Sequence, residues 1–250
     1  MNITHAVNEV IKGDKLEAIF NRQKELMEKY HHIEARSGLL QTEDCPVNLD
    51  DKRGQARLKD FAWRTTEEIA EALETIPTLE MLFDQKYNFN IYDYENVADA
   101  IKDLKDIEDQ SESHRLHFQE ELIDALHFFT EFSILADITP AVIREALSIE
   151  PNTDILDHIY AKQLINVNSP LDSALLNFIT RLGLCCNCLK NKPWKQTQMI
   201  TDKEAFKNNV IKAWEAYIVA LMVAGLNPEN IANLYLKKSQ VNQFRQRSKY

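Results

Sequence analysis

Glycine is scarce in this chain of 250 residues, with five copies, and proline is little commoner, with seven. Sheet-rich folds need many tight turns, and those turns draw on these two residues. The shortage disfavours an all-β architecture and supports an all-α one. Long apolar runs are missing too. None approaches the roughly 20 residues that cross a bilayer, and the opening MNITHAVNEVIKGDK lacks the basic and apolar segments of a secretion signal. The expectation is a cytoplasmic protein with no membrane partner. Cysteine is limited to Cys45 and a cluster of Cys185, Cys186 and Cys188. Cys185 and Cys188 form a single CxxC with no second pair and no nearby histidine. Reduced thiols on a helix-packing surface are the reading, and a zinc site is the alternative. Positive charge is also in short supply: 29 Lys and Arg against 39 Asp and Glu give a net charge of −10. That balance argues against nucleic acid as the main partner. It would also repel a free nucleotide, so any phosphate site needs metal ions or a local basic patch.

What the chain does contain is 44% hydrophobic and 27% charged residues, ordinary globular values. At this length the expectation is one helical domain over 1–250 with a sizeable core. Its most informative stretch is HFQEELIDALHFFTEFSILAD, from His117 to Asp137. Glu121 and Asp124 lie one helical turn apart and share a face with Ala125, Phe128, Phe132 and Leu135. An acidic pair turned toward the apolar side is costly unless a cation sits between the carboxylates. Oxygen-only ligands suit a hard ion such as Mg²⁺. The alternative is a boundary helix whose acids reach the rim or pair with Lys or Arg. A second pair, Glu68 and Glu71, occurs in FAWRTTEEIAEALETI on a face with Phe61 and Ala72. Two helices would then face ExxE with ExxD, and four carboxylates can hold the divalent ions that neutralise a polyphosphate. Two unrelated amphipathic helices are the competing account.

Helical spacing predicts a first helix over residues 14–35, capped by Asp14, then a loop over 36–53. The ExxE helix is expected from about Gln55 to Ile76, ending before Pro77. Residues 77–113 read as an aromatic and acidic insertion with one short helix around Val97 to Ile107. A second half then echoes the first. FQEELIDALHFFTEFSILADITPAVI, from Phe118, aligns without a gap to FKNNVIKAWEAYIVALMVAGLNPENI, from Phe206. Apolar positions correspond and Pro140 matches Pro228, but Asn209 and Lys212 stand where Glu121 and Asp124 stood. A duplicated helical unit with one acidic copy follows, set against chance likeness of two amphipathic helices. The organisation expected is a catalytic half over about 14–140 and a degenerate repeat with a basic end over about 141–250. That end, YLKKSQVNQFRQRSKY, is either a solvated tail or a segment closing over bound phosphates.

Together EIAE, ELID and the following HFF resemble the all-α NTP pyrophosphatase superfamily, which includes MazG-like enzymes and dimeric dUTPases. The end of the chain narrows the likeness. Dimeric dUTPases and phage dCTP pyrophosphatases carry a pattern like Y-x-x-K-N-x-x-N-x-F-R-Q-x-x-G-Y, and here Tyr235, Lys238, Asn242, Phe244, Arg245, Gln246 and Tyr250 are in register. Gln23 and Leu26 match the family's base-binding Q-x-x-L-N. The resemblance implies that Glu68, Glu71, Glu121 and Asp124 bind Mg²⁺, with Mn²⁺ as a substitute. It makes Glu68 the residue that orients or deprotonates the attacking water. It assigns Lys238, Arg245 and Tyr250 to the phosphates, and Gln23 and Asn242 to the nucleoside. Lys195, in Pro193 to Lys195, resembles a Trp-Lys element near the family's pocket.

This chain departs from the pattern at three positions: Ser239 replaces an asparagine, Lys249 a glycine, and Met27 the asparagine of Q-x-x-L-N. A thioether lacks the paired donor and acceptor that an amide offers to uracil. The implied function is hydrolysis of a pyrimidine deoxynucleoside triphosphate, dUTP first, to the monophosphate and pyrophosphate. Phage-type dCTP or dual hydrolysis and broad MazG-like hydrolysis stand as alternatives. The implied assembly is a homodimer, in the host cytoplasm if the chain is phage-encoded. A helical nucleotide-sensing or partner-binding protein is the non-enzymatic rival.

Overall fold

A computed structural model of the protein describes residues 3–37, 44–90, 93–94, 97–164, 169–192 and 194–248, and among them every regular element is helical. After a 3-10 turn at Ile3–His5 come α1 (Lys15–Ser37), α2 (Lys52–Glu74), α3 (Ile76–Tyr87), α4 (Val97–Leu135), α5 (Pro140–Ala146), α6 (Ile155–Gln163), α7 (Leu171–Cys188), α8 (Lys203–Val223) and α9 (Pro228–Arg247). The all-α expectation holds.

Local sequence explains the starts. Asp14 Oδ1 accepts from the backbone N–H of Leu16 and Glu17, and Asp51, Thr139, Asp154, Asp202 and Asn227 cap α2, α5, α6, α8 and α9 in the same way. Asp14 also works at long range. Its Oδ2 accepts from Arg144 and from the Ile155 N–H, each at 2.8 Å, which pins α1 to α5 and α6. Gly54 sits in the first turn of α2 because a Cβ there would lie 2.6 Å from the Asn48 carbonyl oxygen.

Two expectations for the middle of the chain are corrected. Pro77 does not introduce an irregular insertion. Thr75 ends α2, and the proline falls in the first turn of α3, where its missing N–H costs nothing. Nor is there a short helix at 97–107 separate from the ExxD helix. Both belong to α4, which runs unbroken for 39 residues. Its first half packs against α3 and its second half enters the core.

The core is organised by two long helix pairs, α2 with α4 and α7 with α8, flanked by α1 and α9. Each pair repeats the other. Buried Phe61, Ala62, Thr65, Ile69 and Ala72 of α2 correspond in spacing to buried Ala174, Leu175, Phe178, Leu182 and Cys185 of α7. Likewise Phe118, Leu122, Ile123, Ala125 and Phe129 of α4 correspond to Phe206, Val210, Ile211, Ala213 and Tyr217 of α8. Both copies turn sharply at the same point, by 83° between α4 and α5 and by 95° between α8 and α9. Each turn contains a left-handed residue, Asp137 at φ 59° and Gly225 at φ 83°, followed by a capped proline start. Where the copies meet, Phe129 contacts Trp214 at 4.7 Å, Phe178 at 5.1 Å and Tyr217 at 5.9 Å between ring centroids. The correspondence thus extends beyond the stretch visible as sequence likeness and includes α2 and α7.

Candidate active site

The acidic site forms where α2 and α4 lie side by side. On α2, Glu68 falls on the stripe that buries Phe61, Thr65 and Ala72, while Glu71 stands one turn further toward solvent. On α4, Glu121 and Asp124 flank buried Leu122, Ile123 and Ala125. One carboxylate oxygen each from Glu68, Glu71 and Glu121 lies within 4.8 Å of the others. Asp124 completes the group from beside it, with its carboxylate held by the Lys238 ammonium at 2.6 Å, and Lys238 also reaches Glu120 at 3.5 Å. Glu121 takes His117 Nδ1 at 3.2 Å. The two helices therefore do bring the four acids together.

Electrostatics show the strain of that arrangement. Burial, and then the charges of Asp124, Glu71 and Glu121, push Glu68 from 4.5 to about 8. Burial raises Asp124 to about 6, although Lys238 pulls it down. Burial disfavours the Lys238 charge, but Asp124, Glu120 and Glu121 outweigh it and hold that lysine above its ordinary value. Carboxylates so placed favour the neutral form until positive charge joins them. Three clustered oxygen ligands with no nitrogen or sulfur donor suit a hard divalent cation, so the residues present fit such an ion.

Next to the acids opens a cavity of about 310 Å³, with Glu68 and Asp124 in its wall. Tyr30, Phe61 and Phe128 supply aromatic rings and Leu26 an aliphatic side chain, and Arg64 lies over the Phe61 ring at 4.9 Å. Deeper in, Gln23 Oε1 accepts from the Tyr235 hydroxyl at 2.6 Å and faces His127 Nδ1 at 2.9 Å, while Gln23 Nε2 donates to Glu131 at 2.9 Å. His127 is stacked on Tyr235 at 3.8 Å and is fully desolvated, which lowers it to about 3 and keeps it neutral. Since Gln23 Oε1 can only accept, His127 carries its proton on Nδ1.

The residues singled out in the sequence reach this place unequally. Gln23, Glu68, Asp124, Asn242 and Arg245 line the cavity, Glu71 and Glu121 belong to the adjoining cluster, and Lys238 bridges to Asp124. Tyr250 lies outside the described residues. Lys195 is elsewhere, after α7, where its Nζ is 4.0 Å from Met199 Sδ and its carbonyl accepts from Lys52. Met27 packs against the core and does not line the cavity. The basic end is not a loose tail within the described residues. It continues α9 from Tyr235 to Arg247, with Tyr235, Leu236 and Val241 buried. Sequence reasoning placed Phe128 on the acidic face but missed Tyr30, Arg64, His127 and Glu131. The signal was present in their spacing, since 61, 64 and 68 on one helix and 124, 127, 128 and 131 on the other form single stripes.

Among the described residues no helix is long and apolar enough to cross a membrane. No curated protein and no solved structure matches the chain. A family model described as dUTPase matches residues 93–250, more than half of the chain, and spans the ExxD helix, the repeat and the basic helix. Geometry joins to it the segment before residue 93, which supplies Gln23, Glu68 and Glu71. The chain belongs to the dUTPase family, whose activity is of the nucleotide diphosphatase type.

Proposed function

We propose that the protein hydrolyses a pyrimidine deoxynucleoside triphosphate, dUTP foremost, to the monophosphate and pyrophosphate with Mg²⁺ or Mn²⁺. The observation that carries this reading is the adjacency of a three-carboxylate cluster and a cavity walled by aromatic rings. The cavity offers Phe61, Phe128 and Leu26 to a flat base. Gln23, locked by Tyr235 and His127, keeps one amide hydrogen for the base edge. Met27 is not among the residues lining this cavity, but the amide that the family pattern places there is still missing, so dCTP stands as the alternative substrate.

Hydrolysis requires a water oxygen to bond to one of the two phosphorus atoms joined by the α–β bridging oxygen as that atom's bond to the bridge breaks, so that monophosphate and pyrophosphate separate. A divalent ion held by Glu68, Glu71, Glu121 and Asp124 would supply the positive charge that lets these acids ionise together, neutralises the triphosphate and acidifies water. Glu68 belongs to the carboxylate cluster and also lines the cavity, and it would take the water proton. Arg245 of α9 lines the cavity and would bind phosphate oxygens, while Asn242 beside it would help hold the nucleoside. Lys238 would share itself between Asp124 and the phosphates. We place the enzyme in the cytoplasm as a homodimer. Phe83 and Tyr87, one turn apart on α3, are 59% and 90% exposed, a surface suited to a second copy.

Pyrophosphate release from dUTP, dCTP, dTTP, dATP and dGTP with Mg²⁺ tests the reading. The expected result is fastest release from dUTP. Faster release from dCTP moves the substrate, and no release from any of the five overturns the enzyme reading.

A further inference from the structure

The second copy of the duplicated unit has a cavity of its own in the corresponding place. Spacing along α7 and α8 sets Ala174 against Phe61, Asn177 against Arg64 and Arg181 against Glu68. In the same way Lys212 stands against Asp124, Glu215 against His127 and Ala216 against Phe128. These positions line the cleft between α7 and α8 as their counterparts line the catalytic cavity. The correspondence therefore links two cavities and not only two helices. Two changes set them apart. Alanines replace both phenylalanine walls, and the space is larger, about 550 Å³ against 310 Å³. The two acids that face each other across the catalytic pair have become two cations.

Neither Arg181 nor Lys212 has an ion-pair or hydrogen-bond partner among the described residues. Glu215, the acid in the cleft, is engaged by Lys162 at 3.0 Å and Gln163 at 3.4 Å. Two cations without partners flanking a cleft of this size, in a protein of net charge −10, form a local anion trap. We propose that the cleft between α7 and α8 is a second ligand site that takes a phosphate chain directly on Arg181 and Lys212, without metal. Where the catalytic copy needs cations between its carboxylates and the anion, this copy supplies the positive charge from its own side chains. The guanidinium of Arg181 can grip two phosphate oxygens at once, and Ser173 and Asn177 add neutral polar groups on the same wall. With the aromatic walls gone, the site selects the phosphate chain more than the base. The site uses neither metal nor turnover, so it stands or falls separately from the diphosphatase reading.

Calorimetric titration of the full chain in a metal chelator, with pyrophosphate and separately with dUTP, tests the proposal. Expected is saturable binding of one anion per chain that weakens as salt rises. The double variant R181Q/K212Q should weaken it by at least about tenfold, while Arg245→Ala leaves it unchanged. Binding of both probes with similar strength identifies the phosphate chain as the ligand, and binding of dUTP alone overturns the proposal. Absence of saturable binding for both probes overturns the proposal. So does binding lost in Arg245→Ala and kept in R181Q/K212Q, because the anion then sits in the catalytic cavity. Circular dichroism of the variants controls for folding.

Discussion

Lys238→Met is the perturbation whose size follows most directly from the structure. Methionine keeps the buried stem and removes the ammonium 2.6 Å from Asp124. The two side chains are 8% and 19% exposed, so the pair is shielded from solvent. With Lys238 opposing the effect of burial, Asp124 stands at about 6, so at pH 8 its charged form is favoured over the neutral one by two pH units, or about 2.7 kcal/mol. Without Lys238 the carboxyl takes up a proton instead, and that preference is lost. The metal-free variant should therefore be less stable by about 2–3 kcal/mol at pH 8, or roughly 5–10 °C in Tm for a chain of this size. At pH 5 Asp124 is mostly protonated with or without Lys238, so the penalty should fall below about 1 kcal/mol. Urea denaturation of wild type and variant in a chelator, at both pH values, measures the difference. A penalty that is equal at the two pH values, or below about 0.5 kcal/mol at pH 8, refutes the reasoning.

Other perturbations test the remaining parts. Glu121→Gln removes one of the three clustered carboxylates, so metal-dependent turnover should drop by more than the roughly 10–100-fold of outer-shell changes, with the helical circular-dichroism signal retained. Arg245→Ala removes an exposed guanidinium at the cavity, and kcat/KM should fall about 10–100-fold, the range of one charge-assisted hydrogen bond, without a change in Tm. In the metal-free protein Glu68 is raised from 4.5 to about 8, so its contribution to stability is full below 4.5 and lost as pH rises to 8. His127 acts at the acid end, since its contribution is present above 6.5 and lost as pH falls toward 3. A scan of Tm against pH should therefore decline on both sides, and Glu68→Gln should flatten the alkaline decline only. Phe129→Ala, at the junction of α4, α7 and α8, should cost about 3–5 kcal/mol by denaturant titration.

Helix identity was legible in the sequence because periodicity, caps and the shortage of turn residues are local properties. Asp14 as a cap, the facing of Glu68 with the apolar stripe of α2, and the likeness of the Phe118 and Phe206 stretches needed nothing beyond spacing, whereas Glu71, expected on that same face, is turned toward solvent. The sequence by itself also placed the acids in two pairs, since a carboxylate at i and another at i+3 share a face wherever the helix packs. Tertiary structure decided the rest. Whether Pro77 ends a helix for good or starts another depends on where α3 can dock, and the continuity of α4 depends on α3 covering its first half. Lys238 could not be tied to Asp124 from the sequence, because the two are brought together only by the packing of α9 on α4. For the same reason Arg181 and Lys212 were two unrelated cations until α7 lay against α8 as α2 lies against α4. Local pattern orients a side chain around its own helix axis, and only the packing of one helix on another sets what charge it faces.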